Sequence, residues 1–172
     1  RKMTLGSGSH IYEVVEGWGA LPTGKVFGYT HGVVTDRDDN VYIHNQSKDA
    51  VAVFDRGGTF LSSWGEEFAA GAHGFFIADE GGTEYLYITD IARHSVYKTT
   101  LDGKVVLELD PPQLSHVYEN PEDYTPTDVC VAPNGDIYVG DGYGMSWVHR
   151  YAADGSRIQS WGGVGSEPGL MK

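Results

Sequence analysis

The sequence predicts an all-β fold made of a repeated four-stranded unit, and three observations support this. The 172 residues include 24 glycines, 11 tyrosines and four tryptophans, a composition typical of many short strands joined by tight turns. Many short segments alternate apolar and polar residues with a period of two, as strands with one buried face do. The same order of strands and turns occurs three times, which indicates an internal repeat.

The first strand of each unit marks the period of the repeat. The first strands are expected at 31–36, 73–78 and 127–132, and their starts lie 42 and 54 residues apart. The longer interval contains an insertion at about 111–124. A period near 40 residues with four strands per unit predicts a β-propeller, in which each unit is one blade.

The remaining strands follow in the same order in every unit. The second strands are expected at 40–44, 84–90 and 136–141, the third at 50–55, 95–99 and 147–151, and the fourth at 59–64, 104–109 and 156–161. Glycine-containing turns at 56–58, 101–103 and 153–155 join the last two strands, because glycine supplies the positive φ that hairpin turns need. An immunoglobulin-like sandwich would also be all-β, but it would not repeat one strand pattern three times.

These repeats divide the chain into consecutive segments. We expect an N-terminal segment at 1–28 with a lone outer strand near 12–16, blade 1 at 29–65, blade 2 at 66–110, the insertion at 111–124, blade 3 at 125–163, and a truncated linker to a further blade at 164–172. Three blades do not close a ring, since propellers ordinarily have about 4 to 8. We therefore expect self-association, or complementation by a missing half, to cover the open ends.

Charge and hydropathy exclude several partners. The net charge of -12 disfavours binding to nucleic acid phosphates and to anionic lipid headgroups. No run approaches the roughly 18 apolar residues of a membrane span, and no signal peptide is visible. The single cysteine, Cys130, has no disulfide partner within the chain. The expected compartment is either the cytoplasm or, after removal of a signal, the exterior of the cell.

The order of motifs resembles the NHL-repeat family. More narrowly, it is similar to bacterial six-bladed relatives of peptidyl-α-hydroxyglycine α-amidating lyase. The resemblance runs from about residue 5 to residue 169, and its most specific pieces are 72–74, 87–98, 126–129 and 140–143. It implies a six-bladed ring of which this chain holds about three blades.

The resemblance also implies a reaction and its site. Such a lyase cleaves a peptidyl-α-hydroxyglycine into a peptide amide and glyoxylate, using a zinc ion that three histidines hold on the propeller axis. His73 matches the first of these histidines, and Tyr143 matches a tyrosine that acts as a base or electrostatic partner at the hydroxyl group. Backbone oxygens of Val33 and Phe75 match ligands of a structural calcium ion. The other ligands would lie beyond Lys172.

Two positions depart from the lyase pattern. Gln46 stands where the lyase has a substrate-binding arginine, so a positive charge is lost. Tyr124 and Gly144 stand where the lyase has a disulfide beside the tyrosine, so that covalent brace is absent.

Each candidate also has a purely structural interpretation. His73 could hydrogen-bond between blades without a metal, and Tyr143 could simply pack, as aromatic residues often do between blades. His31 occupies the same repeat position as His73, so it is either an additional ligand or a polar residue satisfied in the channel. The other histidines are expected to be structural or solvated.

Two further pairs of residues recur at equivalent positions of the repeat. We expect Asp90 and Asp141, at the ends of second strands, to be turn carboxylates that also form hydrogen bonds between blades, and not acid-base catalysts. We expect Trp64 and Trp161, in fourth strands, to be buried between blades.

Three functions are compatible with these observations. The first is a metal-dependent lyase-like enzyme acting on a small peptide-like substrate at the channel mouth. The second is a noncatalytic NHL scaffold that binds a protein or small ligand. The third is a half-propeller that assembles into a closed ring.

Overall fold

A computed structural model of the chain describes residues 3–109, 111–113 and 116–171. They form three four-stranded antiparallel sheets and one two-stranded sheet. The predicted all-β, blade-like fold is confirmed, and the blades form an open arc. The predicted segments at 1–28, 66–110, 111–124 and 164–172 each include one or two residues outside the described part. Among the described residues, no helix is long and apolar enough to cross a bilayer.

The N-terminal segment contains a β-hairpin. Strand β1 (Thr4–Ser7) pairs with strand β2 (His10–Glu13) in antiparallel register. The predicted lone strand near 12–16 is therefore wrong, since its first residues already have a partner. Gly8, which has positive φ, lies in the turn between the two strands and gives the chain the backbone freedom to reverse direction there.

Each blade contains four antiparallel strands in chain order. Blade 1 consists of β3 (Thr30–Thr35), β4 (Val41–Asn45), β5 (Val51–Phe54) and β6 (Phe60–Trp64). Blade 2 consists of β7 (Ala72–Glu80), β8 (Thr83–Asp90), β9 (Ser95–Thr99) and β10 (Val105–Leu109). Blade 3 consists of β11 (Asp128–Val131), β12 (Ile137–Asp141), β13 (Trp147–Tyr151) and β14 (Arg157–Gly162). Two short 3-10 turns, Glu66–Phe68 and Pro121–Asp123, lie between blades.

The blades pack face to face around two apolar clusters. The cluster between blades 1 and 2 consists of Tyr42, Ala50, Val51, Val53, Phe68, Phe75, Leu86, Ile88 and Tyr97. The cluster between blades 2 and 3 consists of Tyr87, Val96, Leu109, Tyr118, Tyr124, Val129, Ile137, Val139 and Tyr151. Because Tyr118 and Tyr124 belong to the insertion, that segment is part of the core of the arc.

The turns between third and fourth strands fix how neighbouring blades stack. Gly103 of blade 2 has φ +94°, and a Cβ there would lie 2.6 Å from the Trp64 ring of blade 1. Gly155 of blade 3 has φ +87° and contacts Leu107 of blade 2 in the same way. Each of these positions therefore needs glycine both for its backbone conformation and for the close approach of the preceding blade.

The two tryptophans of the fourth strands have different surroundings. Trp64 is half-buried, and its ring centroid lies 6.5 Å from that of Phe68. Trp161 is 36% exposed, so the prediction that it is buried between blades is wrong for this chain. The reason is that β14 is the outer strand of blade 3, and no blade follows it among the described residues.

Candidate functional site

The first strands of the three blades, β3, β7 and β11, lie next to one another on the inner side of the arc. They and the loop after β12 enclose an open cleft of about 500 Å³. The cleft is lined by His31, Gly32, Val33, His73, Gly74, Phe75, Thr127, Asp128 and Tyr143. Five of the six predicted site residues therefore line one cleft, and Gln46 does not.

His73 is held by a backbone group of the next blade. Its Nδ1 lies 2.7 Å from the carbonyl oxygen of Thr127. Because a carbonyl only accepts, Nδ1 carries the proton and Nε2 keeps its lone pair. No hydrogen bond within the described part of the chain engages Nε2. The strands approach closely here because Gly74 leaves no side chain between β7 and Asp128.

His31 lies against His73. The two rings are stacked, with centroids 4.7 Å apart and planes 29° apart. Burial lowers the pKa of His31, and the neighbouring His73 lowers it further, so the imidazole tends to stay neutral near pH 7. The two histidines, which occupy the same position of successive repeats, therefore place two imidazoles side by side in the cleft.

Tyr143 projects from the loop that joins β12 to β13. Its ring meets the His73 ring edge-on, with centroids 5.0 Å apart and planes 82° apart. The side chain is 67% exposed, so its phenol is accessible to a ligand in the cleft. Gly142 and Gly144 flank it, and a Cβ at Gly144 would overlap the Asp141 carboxylate.

The two predicted calcium positions lie on neighbouring strands. Val33 is on β3 with an exposed side chain, and Phe75 is on β7 with a buried one. Both residues line the cleft. Their assignment to calcium stays a prediction.

Gln46 lies outside the cleft, just after β4. Its backbone N–H donates to the Tyr29 carbonyl at 2.9 Å, and its side-chain Nε2 donates a long hydrogen bond of 3.5 Å to the Ala72 carbonyl. The Gln46 side chain therefore lies beside Ala72, the residue that begins β7 and precedes His73, and it does not reach the cleft.

His44 is a residue whose relation to the site the sequence did not indicate. It is completely buried on β4, and its ring centroid lies 5.0 Å from that of Phe75. Burial lowers the pKa of His44 to about 4, and the nearby charges of His31 and His73 act in the same direction. The period-two pattern of β4, with Tyr42 also buried, was the available signal that this histidine points into the interior.

The geometry fits a zinc ion only in part. The Nδ1–H of His73 on a backbone carbonyl is the arrangement that orients histidine ligands in metal sites. A catalytic zinc needs three protein ligands, whereas no three histidine, cysteine, aspartate or glutamate side chains converge within the described residues. His73 and His31 could thus supply two ligands, and a third would have to come from outside the described residues.

Comparisons with known proteins agree with this architecture. The NHL repeat family model matches residues 124–151. Peptidyl-alpha-hydroxyglycine alpha-amidating lyase 1 of Drosophila melanogaster is 32% identical over 102 residues, which cover 58% of this chain and 18% of that protein. A probable peptidyl-alpha-hydroxyglycine alpha-amidating lyase of Caenorhabditis elegans is 34% identical over 96 residues, or 53% of this chain and 26% of that protein.

Two solved structures with the same fold have the word lyase in their titles. Virginiamycin B lyase from Staphylococcus aureus aligns with a TM-score of 0.59 at 19% identity, covering 81% of this chain and 42% of that one. A streptogramin B lyase aligns with a TM-score of 0.58 at 14% identity, covering 93% and 47%. The chain thus spans about half of these structures and at most 26% of the curated relatives named above. The resemblance to NHL-repeat β-propellers related to peptidyl-α-hydroxyglycine α-amidating lyase is therefore confirmed.

Proposed function

We propose that this chain forms part of the active cleft of a lyase that breaks the N–Cα bond of a peptidyl-α-hydroxyglycine or a related peptide-like α-hydroxy amide. The observation that carries the proposal is the pairing of His73 with Tyr143. One imidazole nitrogen is fixed by a carbonyl, the other is free, and a phenol meets the ring edge-on at 5.0 Å. The names of the curated relatives support the same reaction class.

The reaction needs one proton removed and one delivered. The hydroxyl of the substrate loses its proton, its oxygen forms a double bond to the α-carbon, and the N–Cα electron pair leaves with the amide nitrogen, which then takes a proton. The products are a peptide amide and glyoxylate. Tyr143 would receive or stabilise the hydroxyl proton as it leaves.

The histidines would hold the metal of this site. His73, through Nε2, and His31 beside it would be zinc ligands. A bound zinc ion would supply Lewis-acid polarisation of a substrate oxygen. We also propose that backbone oxygens of Val33 and Phe75 bind calcium, which prefers oxygen ligands and would join blades 1 and 2.

Release of glyoxylate from a synthetic peptidyl-α-hydroxyglycine tests this function. We expect the Tyr143→Phe variant of the zinc-supplied protein to lose about 100-fold or more in kcat, because it keeps the ring and loses the hydroxyl. Tyr12→Phe is the control, since Tyr12 is exposed on the N-terminal hairpin. Unchanged turnover in Tyr143→Phe, or no glyoxylate from a completed, zinc-supplied ring of the parent protein, would contradict the proposal.

A second candidate function is a noncatalytic propeller that binds a protein or small ligand at the same cleft. The lining of the cleft favours it, because the described residues there include no lysine or arginine to pair with a substrate carboxylate. Saturable binding of a peptide amide at the cleft, without glyoxylate release, would support this function over the lyase.

The open arc supports a third proposal, that another blade covers β14. Trp64 shows how such a cover works, since its ring packs against the turn glycine Gly103 of the next blade. Trp161 occupies the equivalent position in blade 3 and is 36% exposed. A second copy of the chain or a further segment would supply the missing blade.

A further inference from the structure

A buried carboxylate lies at the base of the loop that carries Tyr143. Asp141, the last residue of β12, is completely buried. Its Oδ1 accepts the N–H of Thr125 at 2.7 Å. Its Oδ2 accepts the N–H of Met145 at 2.6 Å and the hydroxyl of Tyr118 at 2.8 Å. The carboxylate thus joins the insertion to the far end of the Tyr143 loop.

The hydrogen bonds continue from Tyr118 into blade 3. The Tyr118 hydroxyl lies 2.8 Å from His149 Nε2, and His149 Nδ1 lies 2.8 Å from Ser160 Oγ. The Tyr118 hydroxyl donates its hydrogen bond to Asp141. The Nε2–H of His149 therefore donates to the Tyr118 oxygen, and His149 Nδ1 accepts from the Ser160 hydroxyl. Burial lowers the pKa of His149 to about 4, in keeping with this neutral form. Every member of the chain of hydrogen bonds is therefore satisfied.

The loop itself wraps around the carboxylate. Gly144 lies so close to Asp141 that a side chain there would overlap the carboxylate. Gly142 N–H donates to Thr127 Oγ1 at 3.2 Å, and the carbonyl of the same Thr127 accepts from His73. The supports of Tyr143 and of His73 therefore meet at one residue.

We propose that Asp141, Tyr118 and His149 form a positioning network that holds the Tyr143 ring against His73. The expected turn role of Asp141 accounts for its bond to Met145 within the loop. The expected role between blades accounts for its bonds to Tyr118 of the insertion and to Thr125 before β11. The network gives the insertion a function and takes the place of a covalent brace beside Tyr143. The importance of this placement for catalysis rests on the proposed lyase function, while the placement itself does not.

Tyr118→Phe tests the network, because it keeps the buried ring and removes the hydroxyl that joins Asp141 to His149. We expect hydrogen exchange of the Met145 amide to accelerate about 10-fold through local opening. We also expect the His73 ring signals in an NMR spectrum of histidine-labelled protein to move towards those of Tyr143→Ala. Tyr151→Phe is the control, since Tyr151 is equally buried in blade 3 and donates nothing to Asp141.

A second variant protects the test against loss of folding. Asp141→Asn retains one acceptor oxygen, whereas donors approach both carboxylate oxygens. At least one donor then faces the new amide, so this variant should loosen the same loop and produce the same two changes. If both variants fold and leave the Met145 exchange rate and the His73 signals unchanged, the network does not position Tyr143. Absence of glyoxylate release from every variant, with both changes present, would overturn the proposed function and leave the network standing. In an active lyase, we expect Tyr118→Phe to lower kcat with little change in KM.

Discussion

At His73, one backbone carbonyl decides which ring nitrogen is available. The Thr127 carbonyl accepts a hydrogen bond from Nδ1–H and so leaves Nε2 as the nitrogen that can bind a ligand. His94 makes the same kind of contact with the Tyr124 carbonyl at 2.6 Å, but it is not among the described residues that line the cleft of His73. Sequence position in the repeat, rather than the contact itself, separates the candidate ligand from a histidine that joins two segments.

The two fourth-strand tryptophans give a stability prediction at the residue scale. Trp64→Ala should cost about 3 kcal/mol of unfolding free energy, because it removes a ring packed between blades 1 and 2. Trp161→Ala should cost less than about 1 kcal/mol when the chain is monomeric, because its ring is partly exposed. Urea unfolding at high dilution measures both. Equal losses for the two variants would show that Trp161 is covered within a single chain.

Single residues also show what the sequence could predict. The positions of His31 and His73 on one cleft follow from the repeat, because equivalent residues of successive blades face the same axis. The exposure of Trp161 does not follow, since burial of a fourth strand depends on whether another blade is present. The position of Gln46 outside the cleft depends on the path of the chain after β4, which no periodicity fixes.

At the scale of strands and loops, glycines in turns and polar residues on buried strands determine how neighbouring segments pack against one another. The N-terminal segment shows this at Gly58, where Trp18 lies in the same relation to the turn as Trp64 does to Gly103. Trp18 also donates its indole N–H to the Arg56 carbonyl at 3.2 Å. The segment thus covers one end of blade 1, a role that the prediction of a lone strand missed because the hairpin of β1 and β2 carries few strand signals.

Two buried strands carry histidines that make stability depend on pH. The pKa of His44 on β4 and of His149 on β13 is lowered to about 4 by burial, below the ordinary value of about 6.5. As pH falls, these two histidines therefore bind protons at a higher pH in the unfolded chain than in the folded one. Stability that is fully present above about pH 6.5 is lost progressively down to about pH 4, by roughly 3 kcal/mol for each histidine.

Variants isolate this effect from the titration of carboxylates. We expect His44→Leu and His149→Gln each to flatten the dependence of unfolding free energy on pH between about 6.5 and 4.5. His10→Gln is the control, because His10 is exposed on the N-terminal hairpin. Denaturant unfolding at several pH values gives the slopes, and a variant slope equal to that of the parent protein would mean that the histidine is protonated in the folded state.

At the scale of the whole molecule, the repeat predicted an arc of blades and the structure contains one. The site is only partly predictable from the same repeat, because a site on a propeller axis takes residues from blades all around the ring. Within the described residues, the chain brings His31 and His73 together and supplies no third convergent metal ligand. The proposed metal site and the proposed cover for Trp161 would both be supplied by a completed ring.

The most direct test of this account is the zinc content of the zinc-supplied protein across fractions separated by size. Completion of the arc should create the metal site, so we expect zinc near one equivalent per completed ring, whether two copies of the chain or further blades complete it. We expect almost none in a three-blade monomer, which offers two imidazoles. Stoichiometric zinc on the monomer, or a completed ring without zinc, would contradict the account.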